Sequence, residues 1–171
     1  MTVTPARLQT LVENELAGIR DARVVQHIRS LLVEPKAVLR PWNYGEDDEA
    51  YPCWSVLDHV RSSTGIAYCE YGFGPGRPWG LVGLAGFADQ SLGMDSGWFS
   101  TFTDAFFESA AATDLPIWRV FKQGSGPYPG VALTGEADWD STWEKVYALR
   151  AGDPDGRYHC AHDIRFRPDE A

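Results

Sequence analysis

The chain has 171 residues, 44% of them hydrophobic and 23% charged, which supplies enough apolar material for a core and excludes global disorder. Acidic residues outnumber basic ones by 24 to 15, a net charge of −9. This argues against a general binder of nucleic acid or anionic membrane, because phosphate recognition needs a basic footprint, and it favours a basic protein partner.

Thr4 and Pro5 make an N-cap followed by proline at the first helical position. Leu8, Leu11, Val12, Leu16 and Ile19 then recur at helical spacing, with Glu15 off the pattern. Val24, Val25, Ile28, Leu31 and Leu32 continue the period past Gly18 and Asp21. The reading is two short helices or one bent one, ended by Pro35. Residues 36–42, 53–60, 65–71 and 79–85 are short runs rich in Val, Ile, Trp, Tyr and Leu, and they read as four strands. The Ser62-Ser63-Thr64-Gly65 turn makes a hairpin of the second and third. Ser100 or Thr101, the latter with Asp104 at capping-box distance, opens a third helix whose inner face holds Phe102, Ala105, Phe106, Ser109 and Ala110. A strand at 117–122 follows. A last helix is capped by Asp138 or Asp140 and stopped by Gly152 and Pro154, and a final strand spans 158–166. Successive strands with tight turns between helical segments predict an α+β fold, a mostly antiparallel sheet with about four helices packed on it, in a single domain over 1–171. The buried set expected is Leu11, Leu16, Ile19, Val25, Ile28, Leu32, Val56, Ile66, Leu81, Phe102, Phe106, Trp118 and Val146.

The N-terminal segment has no apolar core of a secretory signal, and no run approaches the roughly 18 apolar residues of a membrane span. Cys53, Cys69 and Cys160 are odd in number and widely spaced, which reads as free thiols in a reducing compartment. A cytoplasmic location is expected.

Chemical motifs are sparse. Gly72-Phe-Gly-Pro-Gly76 has phosphate-loop spacing, but Pro75 and Pro78 remove backbone donors and a strand follows where such motifs need a helix. It reads as a structured loop in which Phe73, Arg77 and Trp79 form a contact surface. Gly93-Met-Asp-Ser-Gly97 has the outline of a serine nucleophile segment without a base or oxyanion hole to serve it, and reads as a turn before a helix cap. His159-Cys160-Ala161-His162-Asp163 is dense in metal-ligand types. On a strand, however, only Cys160 and His162 share a face, and no CxxC occurs. Neither HExxH nor GxSxG is present. No catalytic residue, metal or cofactor is therefore assigned.

Two stretches combine acids with aromatics. In the first, Glu46, Asp47, Asp48 and Glu49 are flanked by Trp42, Tyr44 and Tyr51; the second holds Glu136, Asp138, Trp139 and Asp140. Such pairing suits a surface that meets a basic protein: carboxylates steer the encounter and desolvated aromatics supply affinity.

From Trp54 to Ser109 the chain also shows a resemblance. Trp-Ser-Val-Leu57, Thr64-Gly-Ile-Ala-Tyr-Cys-Glu70, Pro78-Trp-Gly-Leu-Val82 and Met94-Asp-Ser-Gly-Trp-Phe99 look like segments of the small immunity proteins of bacterial polymorphic toxins. About a third of the chain carries the likeness. It implies a non-enzymatic inhibitor that binds and neutralises a basic toxin domain, with no catalytic residues to carry over. The competing expectation is a small cytosolic enzyme or ligand-binding protein with a pocket near the Gly72 to Gly80 loop and Trp98.

Overall fold

A computed structural model describes residues 3–42, 44–71, 76–84, 92 and 97–165. The class is α+β: four α-helices and eight strands occur among the described residues, and the strands within each sheet pair antiparallel. The chain divides into two compact units, residues 1–112 and 113–171. The strands form two sheets, one in each unit, where the sequence reading drew one.

In the first unit, helix α1 (Pro5–Leu16) starts at Thr4, whose hydroxyl accepts from the Arg7 amide at 3.3 Å. Asp21 caps a separate helix α2 (Ala22–Leu31), accepting from the Arg23 amide at 3.0 Å. The helical segment is thus two helices, and its end differs from expectation. Leu32 is already extended, so strand β1 (Leu32–Pro41) begins four residues earlier than predicted and carries Pro35 inside it. The proline is tolerated because β1 lies at the sheet edge and its register shifts between Leu32 and Lys36, an irregularity where a missing N–H breaks no ladder bond.

Strands β2 (Ala50–His59), β3 (Thr64–Tyr68), β4 (Trp79–Gly83) and β5 (Trp98–Phe99) follow in sheet order β1-β2-β3-β4-β5. Ser63 turns the β2–β3 hairpin in the left-handed region, φ 57°. The two-residue β5 has no periodic signal and was not foreseen. It pairs Trp98 with Gly80, where a Cβ would meet the indole at 2.9 Å, so the close approach requires glycine.

Helix α3 (Phe102–Phe107) carries the capping pair anticipated from sequence: the Thr101 hydroxyl accepts from the Asp104 amide at 3.0 Å and donates to its carboxylate at 2.5 Å. The Glu15 carboxylate reaches the same helix start from α1. It accepts from the amides of Phe102 at 3.1 Å and Thr103 at 2.8 Å, and from the Thr103 hydroxyl at 3.1 Å.

The core of this unit holds Leu8, Val12 and Leu16 from α1, Val24 and Ile28 from α2, Val56, Ile66 and Val82 from the sheet, and Phe102 and Phe106 from α3. Leu11, Ile19, Val25, Leu32 and Leu81 are only half-buried, against expectation. On α1 the inner face runs through 8, 12 and 16 and leaves Leu11 on its margin, a rotation that periodicity alone leaves open.

In the second unit, strand β6 (Arg119–Lys122) lies between β7 (Val131–Ala132) and β8 (Tyr158–Ala161), with helix α4 (Trp139–Gly152) packed against β6 and β8. Asp138 caps α4, accepting from the Ser141 amide at 2.9 Å. Val120, Val146 and Tyr158 form its buried cluster, with Trp143 and Leu149 against it. Gly130 has φ +103° and sits where a Cβ would meet the Lys122 carbonyl at 2.5 Å. The last strand ends at Ala161, earlier than predicted; Phe166 lies outside the described residues. Among the described residues, no helix is long and apolar enough to cross a membrane.

Two substitutions test this packing by urea unfolding. Phe106, fully buried and edge-on to Phe107 at 5.4 Å, should cost about 3–5 kcal/mol on replacement by Ala. Glu15→Ala leaves two α3 amides without their acceptor and should cost about 1–3 kcal/mol. A loss under about 0.5 kcal/mol would show that water replaces the carboxylate.

Candidate functional site

The connection from β1 to β2 folds on itself. The Trp42 amide donates to the Glu49 carbonyl at 2.8 Å, Gly45 to the Trp42 carbonyl at 3.2 Å, and Glu49 to the Glu46 carbonyl at 2.9 Å. Any side chain at Gly45 would strike the Glu49 carboxylate and, at 2.7 Å, the Trp42 ring. Trp42 stands edge-on to Tyr44 at 5.8 Å and to Tyr51 at 6.2 Å, and Tyr51 stacks on Tyr71 at 5.3 Å. Trp42 and Tyr51 also pack on the buried cluster that contains Cys53, Ala67 and Trp98.

The four aromatics therefore have different roles. Trp42 and Tyr51 are anchors, whereas Tyr44 and Tyr71 are 59% and 58% exposed. Tyr71 was missed in the sequence reading, although β2–β3 register carries a signal for it. Continuing the pairing Trp54↔Tyr68 outward sets Tyr51 opposite Tyr71.

The acids divide similarly. Glu46, Asp47 and Asp48 are exposed, while Glu49 is half-buried and its carboxylate accepts from the Tyr51 hydroxyl. That bond, with its negative partner, pushes the Tyr51 phenol above its ordinary range. Glu49 therefore holds the loop, and three acids and two tyrosines face outward.

The 72–80 loop is described from Gly76 onward. Phe73 lies outside the described residues, and so does most of the Gly93–Gly97 segment. Arg77 is exposed, but Trp79 is only 3% exposed, edge-on to Tyr68 at 5.0 Å and Phe102 at 5.4 Å. Trp79 is a core residue, a correction to its reading as a contact residue: the β4 register turns it inward. Trp98 is buried as well. A cleft of about 440 Å³ lies elsewhere in this unit, between α1 and β1, walled by Leu8, Val12, Pro35 and Val56, with Gln9, Glu13 and Glu34 as its polar groups. Nothing in that lining pairs a nucleophile with a base.

In the second unit, the acidic-aromatic stretch sits at the start of α4. Asp138 is engaged as the cap, and its hydrogen bonds from Ser141 hold its carboxyl below the ordinary range. Trp139 is half-buried, edge-on to Trp118 at 4.4 Å and to Trp143 at 5.7 Å. Asp140 is exposed and Glu136 half-buried.

The titration of two thiols, Cys53 and Cys160, is shifted upward. Cys53 and Cys69 are fully buried, and a hydrogen bond between them together with burial raises the Cys53 thiol. Burial pushes the Cys160 thiol up to about 12. His159 is stacked between Phe121 at 6.0 Å and Tyr128 at 5.5 Å, and His162 meets Trp118 edge-on at 5.6 Å. Among the described residues, no group of three or more His, Cys, Asp or Glu is placed to hold a metal.

Comparison of the chain with protein-family models, with curated proteins and with solved structures yields no match in any of the three.

Burial lowers the proton affinity of His59 and His159 below the ordinary histidine value. The unfolded chain therefore takes up these protons first as pH falls, at about 6.5. Unfolding stability should decrease from pH 7 to pH 5, and the slope should flatten in His159→Phe. Urea midpoints across that range measure it; a slope unchanged by the substitution would remove His159 from the account.

Proposed function

We propose that this protein is a non-enzymatic inhibitor that works in the cytoplasm by binding and occluding a basic protein domain, in the manner of bacterial toxin-immunity proteins. The observation that carries this reading is the β1–β2 loop: Glu46, Asp47 and Asp48 stand exposed beside Tyr44, on a base of Trp42 and Tyr51 packed into the core. Net charge −9 supports it by drawing a basic partner in from a distance. The exposed carboxylates are screened and individually worth little once docked, so they act on encounter. The tyrosines lose water on docking and govern dissociation. A loop locked by its own hydrogen bonds also loses little freedom on binding.

The test begins with the partner that co-purifies from the source cell, identified by mass spectrometry. The triple variant Glu46→Gln, Asp47→Asn, Asp48→Asn leaves the Glu49 contacts intact. It should slow association about tenfold or more at low salt, with most of the difference gone at high ionic strength. Tyr44→Ala should instead raise the dissociation rate. Association unchanged in the triple variant would reduce the acidic run to a solvated loop.

A further inference from the structure

One flank of α4 is built for contact beyond what its fold needs. Thr142, Val146 and Leu149 turn α4 onto its sheet. Beside them, at i, i+4 and i+8, Trp139, Trp143 and Tyr147 form a row on the helix surface. Their rings touch in sequence, Trp139 to Trp143 at 5.7 Å and Trp143 to Tyr147 at 5.5 Å, and the row is rooted on buried Trp118. It runs from half-buried to open, ending on Tyr147 at 61% exposure. Asp140 and Glu144 border the row and line an open groove with it, while Lys145 projects from the other side of the helix. Both carboxylates are exposed, and among the described residues neither makes an ion pair.

The row already holds a cation: the Arg150 guanidinium lies 5.7 Å from the Trp143 ring centre while donating to the Tyr158 carbonyl at 2.9 and 2.5 Å. Ring faces that accept one guanidinium, next to two exposed carboxylates that make no ion pair among the described residues, match the chemistry of arginine. Its planar head stacks on aromatics and also pairs with carboxylates through two N–H groups, which a lysine ammonium cannot do in the same geometry. Because neighbouring rings hold the row rigid, binding costs it little side-chain entropy.

We infer that this flank of α4 is a docking surface for an arginine-bearing segment of a basic protein, the guanidinium stacking on Tyr147 and the edge of Trp143 while Asp140 and Glu144 accept its N–H groups. This rests on the reading of the chain as a binder of basic protein and assigns that role to a definite place on the second unit.

The test is an NMR titration of the full chain with a Gly-Arg repeat hexapeptide, beside its Gly-Lys and Gly-Gln counterparts. The indole N–H signals of Trp139 and Trp143 should move with the arginine peptide, less with lysine and not with glutamine. Tyr147→Ala should weaken arginine-peptide binding about two- to fivefold, and Asp140→Asn with Glu144→Gln should weaken it about three- to tenfold at low salt. All three side chains are exposed, so these variants keep the fold, as Trp143→Ala, which also strips core contact, would not. Indoles that stay still, or arginine affinity unchanged in either variant, would overturn the assignment. Replacing Glu46, Asp47 and Asp48 should leave the indole shifts in place; losing them there instead would move the site to the β1–β2 loop and overturn it too.

The two proposals fail separately. A partner complex insensitive to the α4 variants, with peptide binding also unchanged, removes the α4 site and keeps the inhibitor. Peptide binding through α4 without any salt-dependent complex with a basic protein removes the inhibitor and keeps the α4 site.

Discussion

The Glu15 carboxylate joins the first helix of the first unit to its last. α3 is six residues long, too short to persist in water without its packing, and its first amides need acceptors. Thr101 satisfies one from within the segment, and Glu15 satisfies two from a helix more than eighty residues away in the chain. A carboxylate also suits the positive end of the helix dipole. With α3 held at this point, Phe102 and Phe106 are set into the core, Phe102 against Trp79 and Phe106 against His27. A polar contact thus helps to set where the two largest fully buried side chains of this unit, Phe102 and Phe106, lie.

The same economy recurs wherever a side chain must approach backbone. Gly80 lets the Trp98 indole lie against β4, and Gly45 lets the Glu49 carboxylate turn back under Trp42. In the second unit, Thr142 is almost fully buried on α4, yet its hydroxyl donates to the Asp138 carbonyl at 2.7 Å, so burial leaves no orphan group.

Both proposed surfaces place carboxylates in water and aromatics on a rigid base. The division suits a protein that must find a basic partner quickly and then hold it. Coulombic attraction acts over roughly a Debye length, about 8 Å at physiological salt, whereas ring contact acts only after water has left. Glu49 and Asp138 show that acidic residues in such stretches are not equivalent. Each is committed to its own loop or helix start, so any steering charge is left to their neighbours.

Local chemistry settled much of this protein at the level of sequence. Thr4 with Pro5, Asp21, Thr101 with Asp104, and Asp138 start helices through contacts within three residues, and the apolar and aromatic runs of β2 and β3 mark a hairpin whose turn is written in Ser62 to Gly65. The acidic-aromatic stretches were visible for the same reason, because their members are close in the chain. What only the tertiary structure decided depends on partners far apart. Glu15 breaks the helical pattern of α1 because its acceptor duty lies on α3. Trp79 looks like a surface aromatic in a glycine-rich loop until the β3–β4 register turns it inward beside Tyr68. Tyr71 joins the candidate site through cross-strand stacking, and Pro35 sits in a strand because the sheet edge excuses its missing donor. Composition and spacing report which side chains can bury or bond, but the choice of face, and hence of what remains for a partner, is made by register and packing between distant segments.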